Sequence, residues 1–120
     1  MLTLSPRTRV YVAPGVTDMR KSFDTLAALV RETLDEDPLS GHLFAFANGR
    51  RTRLKVLYWD GSGLWVLAKR LEKGTFFWPR PSESARSIML THTELSLLLE
   101  GIDLVATKPR RWYRRAVTTA

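Results

Sequence analysis

Between Gly41 and Pro81 the chain alternates strand-forming runs with tight-turn signals, and this block limits the possible folds more than any other feature. Leu43 to Ala47 reads as a strand. Asn48-Gly49 follows, the strongest short-range hairpin signal, because both residues tolerate positive φ. Arg50 to Asp60 is the predicted return strand, Gly61-Ser62 a second tight turn, and Leu64 to Leu71 a third strand. Glu72-Lys73-Gly74 turns again. Thr75 to Trp78 is predicted as a fourth strand, ended by Pro79 and Pro81. The expected result is an antiparallel meander.

A two-residue turn at Gly61-Ser62 sets the register. Leu57 then stands opposite Val66, and Arg53 opposite Arg70. One face carries Leu54, Val56, Tyr58, Trp65 and Leu67. The other carries Leu57, Trp59, Leu64 and Val66, with Arg53, Lys55 and Arg70 at the end away from the turn. Both faces are apolar near the turn, so each needs a cover. Like charges directly opposite each other destabilise a sheet. Water, an acid or a phosphate must offset the facing arginines.

The flanks supply helices. Arg9 to Ala13 alternates and reads as a short strand, stopped by Pro14-Gly15. Thr17 and Asp18 are placed to cap a helix starting near Met19. Phe23, Leu26, Ala27, Val30 and Leu34 form its apolar stripe, and Asp35-Glu36-Asp37-Pro38 ends it. Arg20 and Lys21 then fall in the first turn. There they serve either as an exposed pair, with Arg20 against Asp24, or as a phosphate cradle at a helix N-terminus. Ser87 to Leu90 reads as another short strand. Thr91-His92-Thr93-Glu94 is a capping box, Leu95, Leu98 and Leu99 give an apolar face, and Gly101 suits the terminating position. His92 is expected to be exposed. The fold class is therefore α+β: one domain, 1–107, with a meander packed by an N-terminal helix and a second short helix near the C-terminus. Residues 108–120 are a basic tail, expected to be mobile.

Charge narrows the function. The chain carries +7, but unevenly: 8 of its 19 basic residues lie within 41–81 against only Asp60 and Glu72. Five more follow Asp103, where no acid remains. Such segregation points to an anionic partner. The predicted DNA-binding set is Arg50, Arg51, Arg53, Lys55, Lys69, Arg70 and Lys73, helped by Arg20, Lys21 and the tail's Arg110 and Arg111. Trp59, Trp65 and Trp78 are candidates for stacking on bases, or for the core.

Catalytic patterns are missing. The chain has no cysteine and two histidines, which argues against a zinc site. Gly61-Ser62-Gly63 lacks the spacing and lysine of a phosphate loop. Asp18, Asp24, Asp60 and Glu72 are the carboxylates a metal-dependent nuclease would use, and each has a structural explanation. No catalytic residue, metal or cofactor is expected. No apolar run reaches the roughly 20 residues that cross a bilayer, and nothing at the N-terminus reads as a signal peptide. A cytoplasmic protein, nucleoid-associated when on DNA, is expected.

Several phrases together carry a resemblance. They are Gly15-Val16-Thr17-Asp18-Met19-Arg20-Lys21-Ser22-Phe23-Asp24, Gly41-His42-Leu43-Phe44, Arg50-Arg51, Leu57-Tyr58-Trp59-Asp60 and Gly63-Leu64-Trp65. Lys69-Arg70-Leu71-Glu72-Lys73-Gly74, Phe77-Trp78-Pro79 and Leu98-Leu99-Glu100-Gly101-Ile102-Asp103 complete them. Over residues 9–104 the chain resembles the small accessory proteins, called TnpB, encoded by the second open reading frame of insertion sequences of the sixty-six family. Thr25 departs from the glycine usual there. The resemblance implies a non-catalytic factor for transposition, distinct from the RNA-guided nuclease of the same name and from the element's own transposase. The resemblance gives a process and not a mechanism; with the basic charge, the expected partner is DNA, at element ends or target. The transposase and the element's other accessory protein are further partners. A rival role is an adaptor that docks the transposase through an apolar patch at Phe77 and Trp78. RNA binding and nuclease action stand behind these.

Overall fold

The computed structural model describes residues 5–80, 86–103 and 108–109. Strand β1 (Val10–Val12) leads to helix α1 (Phe23–Glu32), then strands β2 (Leu43–Ala47), β3 (Arg53–Trp59) and β4 (Leu64–Arg70). Strand β5 (Ile88–Leu90) precedes helix α2 (His92–Glu100), and a small pair, β6 (Ile102–Asp103) and β7 (Lys108–Pro109), follows. The main sheet has the order β4-β3-β2-β1-β5. No described helix is long and apolar enough to cross a membrane.

The sheet is mixed, which corrects the purely antiparallel expectation. β1 runs parallel to β2, while β2–β3, β3–β4 and β1–β5 are antiparallel. The reason lies in the connection. Neighbouring strands can run parallel only when a crossover returns the chain to the starting end, and the long connection through α1 supplies one. Strand, helix and strand are each legible in the sequence. Their consequence is a β1–α1–β2 unit placed beside the meander.

The β3–β4 register agrees with expectation: Leu57 faces Val66 and Arg53 faces Arg70. Asp60 fixes the turn. Its Oδ1 accepts from the N–H of Ser62 (2.8 Å), the N–H of Gly63 (2.9 Å) and the Ser62 hydroxyl, and its Oδ2 accepts from the Trp65 indole (2.8 Å). These donors, led by the Ser62 N–H and the indole, hold the Asp60 carboxyl well below the usual range.

Each face is covered over β1 to β3, whereas on β4 Trp65 and Leu67, expected to be covered near the turn, stay 48% and 40% exposed. Tyr11, Phe44, Phe46 and Leu57 pack against Leu26, Ala27, Val30 and Leu34 of α1 and the residues beyond it. Val10, Val12, Ala45, Leu54 and Val56 pack against Leu95 and Leu98 of α2 and against Phe76 and Trp78. β2 is buried at every position, so its Leu-Phe-Ala-Phe-Ala sequence needs no polar alternation.

Four local readings change. α1 begins at Phe23, not near Met19, because the Ser22 N–H donates to Thr25 Oγ1 (2.8 Å) and the Leu26 N–H to the Ser22 carbonyl (2.7 Å). Arg20 and Lys21 therefore precede the helix, and Phe23 is about half exposed (48%) rather than in the stripe. Thr75 to Trp78 is not a fourth strand: beyond one bridge at Thr75 it is irregular, and it lies across the sheet with Phe76 and Trp78 buried. His92 is half-buried, its Nε2 donating to the Thr8 carbonyl (2.6 Å).

α2 carries the expected capping box: the Glu94 N–H donates to Thr91 Oγ1 (3.1 Å), and the Thr91 N–H to Glu94 Oε1 (2.9 Å). Gly101 ends it at φ 81° and ψ −176°, a conformation almost confined to glycine. A Cβ there would stand 2.7 Å from a Leu71 methyl and 3.0 Å from the Thr75 carbonyl. Gly101→Ala is expected to destabilise the domain by more than about 1 kcal/mol in urea unfolding. Gly63→Ala, with open space at its Cβ, should change stability much less.

Candidate nucleic-acid interface

The β2–β3 connection builds the basic end of the sheet. It is longer than the two-residue turn expected at Asn48-Gly49, because Ala47 pairs with Leu54. The return strand starts at Arg53, which leaves Arg50 and Arg51 in the loop. Asn48 organises that loop through its side chain. Its Oδ1 accepts from the N–H groups of Thr52 (3.0 Å) and Arg53 (3.1 Å), and its Nδ2 donates to the Thr52 hydroxyl (3.2 Å). Arg51 takes the left-handed conformation, φ 59°, usually left to glycine or asparagine.

That conformation turns Arg51 inward. Its Nη1 donates to the Gly15 carbonyl (3.0 Å) and its Nη2 to the Pro14 carbonyl (3.1 Å). Its guanidinium lies 5.5 Å from the Trp78 ring centre, while the Trp78 indole donates to the Ala13 carbonyl (2.8 Å). Desolvation lowers the Arg51 pKa. The Arg51 carbonyl in turn accepts from the Phe76 N–H (2.7 Å). One residue thus ties the segment after β1, the β2–β3 loop and the 71–80 segment together.

The other predicted cations divide by surroundings. Arg50 and Arg53 are exposed and make no side-chain hydrogen bond or ion pair to a described residue. Arg70 stands directly across from Arg53 and, among the described residues, has only a long, exposed contact to Glu72 (3.4 Å). Lys55 donates to the Lys21 carbonyl (2.8 Å), just before α1. Lys69 points to the opposite face and donates to the Leu99 carbonyl (2.8 Å), where the end of α2 favours a cation. Lys73 is exposed in the turn after β4. Lys21 is half-buried. Arg20 is locked to Asp18 rather than Asp24, with its Nη2 2.7 Å from Oδ2, and this guanidinium holds the Asp18 carboxyl down to about 2. Arg110 and Arg111 lie outside the described residues, as does most of the predicted tail; the backbone of Lys108–Pro109 pairs with Ile102–Asp103.

Arg50, Arg53 and Arg70 line one open cleft of about 540 Å³, with Thr17, Asp18, Asn48 and Thr52. A second cleft of similar volume shares Met19, Arg53 and Arg70 with it and adds Lys55, Lys69 and Glu72. The arrangement offers guanidinium forks, hydroxyls and an amide to an anion. Trp59, Trp65 and Trp78 do not form a stacking platform there. Trp78 is buried under Arg51, Trp59 is half-buried, and Trp65 is held by Asp60 at the far end of the strand. Burial of Trp78 also removes it from the apolar patch expected of an adaptor; Phe77 beside it is exposed (52%).

Residues 8–109 match the family described as IS66 Orf2 like protein. The chain belongs to this family. An IS66 Orf2-like chain points to an accessory role in transposition of an insertion sequence, and the family is not a known catalytic one. Two relatives from Sinorhizobium fredii (strain NBRC 101917 / NGR234) share it closely. "Uncharacterized protein y4hO" is 43% identical over 103 residues, covering 86% of this chain and 88% of its own. "Uncharacterized protein y4jC" is 38% identical over 100 residues, covering 83% and 84%. No solved structure matches.

The sequence grouped Arg51 with the surface cations, and its residue pattern carried no signal of the inward turn. The Asp18–Arg20 pair was readable from its i, i+2 spacing once the helix start moved to Ser22. Arg51→Lys keeps the charge but loses the two-carbonyl fork, and is expected to cost about 1–3 kcal/mol. Arg50→Ala should stay within about 0.5 kcal/mol of the parent. Parallel chemical denaturation of the two variants checks both values.

Proposed function

We propose that this IS66 Orf2-like protein serves transposition as a non-catalytic factor that grips the DNA backbone with the basic end of its sheet. The observation that carries this reading is the facing pair Arg53–Arg70, joined by Arg50 around an open cleft. Three guanidinium groups without strong protein partners repel one another, and a phosphate relieves that repulsion while accepting forked hydrogen bonds. Lys73 extends the contact on the same exposed end. Arg51 shapes the loop from inside and does not touch DNA. Lys55 and Lys69 contribute field rather than direct contacts, because their ammonium groups already serve backbone carbonyls.

Contacts of this kind go to phosphates and carry little sequence information by themselves. Preference for element ends would then come from DNA shape or from the transposase. Counting the tail's Arg110 and Arg111 with Arg50, Arg53, Arg70 and Lys73, about six phosphates are engaged, and the slope of log K against log salt is expected near −5. Arg50→Ala, Arg53→Ala and Arg70→Ala combined should weaken duplex binding and flatten the slope by about 3, one unit per lost phosphate contact. Fluorescence anisotropy across a salt series measures both. Unchanged affinity and slope in the triple variant would remove the basic cleft from the function.

A further inference from the structure

We propose that a second copy of this chain docks along β4, antiparallel, with Leu67 on the twofold axis. Among the described residues β4 pairs only with β3, so it is a free edge of the sheet. It has seven residues, whereas the other edge, β5, has three. Long open edges are usually blunted by charge, proline or a bulge. Here the middle of the strand, Trp65 to Ala68, is uncharged, Trp65 is 48% exposed and Leu67 40%.

The hydrogen-bond phase selects the register. The Leu71 N–H donates to the Thr52 carbonyl, and the Asp60 N–H to the Gly63 carbonyl. These bonds continue the β3–β4 ladder, so Trp65, Leu67 and Lys69 turn their backbone groups toward β3. Leu64, Val66, Ala68 and Arg70 turn theirs outward. An antiparallel copy uses all four only when Leu64 meets the partner's Arg70 and Val66 meets the partner's Ala68. Shifting the pairing by two residues in either direction leaves outward groups unpaired.

Side chains agree with that register. On the α2 face Leu67 meets Leu67 of the second copy. Trp65 meets Lys69 of the second copy, ring against the apolar stem of a lysine whose ammonium stays on its own Leu99 carbonyl. No like charges stand opposite each other. A shift that joined the strands nearer their basic ends would set Lys69 against Lys69, which the sheet disfavours. The two sheets become continuous, and the Arg70 ends lie roughly 20 Å apart along the strand direction, six residue rises.

The chain has no cysteine, so single cysteines report the geometry cleanly. Leu67 pairs with itself at a non-hydrogen-bonded position, where the Cα atoms approach about 4.5 Å, within disulfide range. The full chain is expected to sediment with twice the chain mass. Leu67→Cys should form a cross-linked dimer on mild oxidation far faster than Met89→Cys on the exposed opposite edge. Ala68→Pro, whose lost N–H points away from β3, should give the single-chain mass with an unchanged circular dichroism spectrum. A single-chain mass for the unmodified protein would overturn the proposal. So would Leu67→Cys cross-linking no faster than Met89→Cys.

Discussion

The Arg51 side chain holds the basic end of the domain in shape. Two backbone carbonyls after β1 need donors, and an aromatic ring beneath them needs a cap. A single guanidinium meets both needs, at the cost of a left-handed backbone. Around it the β2–β3 loop, the 71–80 segment and the start of the α1 connection acquire fixed relative positions. Arg50 and Arg53 point outward because their neighbour points inward. The cleft is a by-product of that anchor.

Composition alone would treat every lysine and arginine of the 41–81 block as equivalent. Their surroundings separate them. Lys55 and Lys69 finish the hydrogen bonding of the segments around the two helices, one on each face of the sheet. Arg20 is neutralised by Asp18. What remains is a short row led by Arg50, Arg53 and Arg70. Electrostatic attraction to a polyanion acts over several ångströms and needs only charge, but bidentate phosphate contact needs free forks. The row meets the second requirement and the rest of the block supplies the first.

Much of the fold was legible because its signals are local. Gly61-Ser62, Thr91 with Glu94, and Gly101 each fix a turn or a helix end through their own side chain or backbone freedom, whereas Asn48-Gly49 marked a hairpin but not its longer loop. The Arg53–Arg70 pairing followed from the turn alone. Long-range consequences were not legible. The position of β1 in the sheet depends on a crossover. The burial of Trp78 depends on Arg51, and the start of α1 depends on Ser22 and Thr25 outcompeting Thr17 and Asp18. Thr25 makes that cap with its hydroxyl. A sequence pattern weighs each residue by type, whereas these outcomes turn on which carbonyl a donor happens to reach.

The division of labour among the arginines is open to one direct observation. Nitrogen-15 spectra of the arginine Nε–H groups, recorded while duplex DNA is added, resolve each guanidinium separately. The Arg50, Arg53 and Arg70 signals are expected to shift together and saturate together, while those of Arg51 and Arg20 stay in place. Movement of Arg51 equal to that of its neighbours, or no movement of the three at saturating DNA, would contradict the assignment of the sheet's basic end as the DNA-gripping surface.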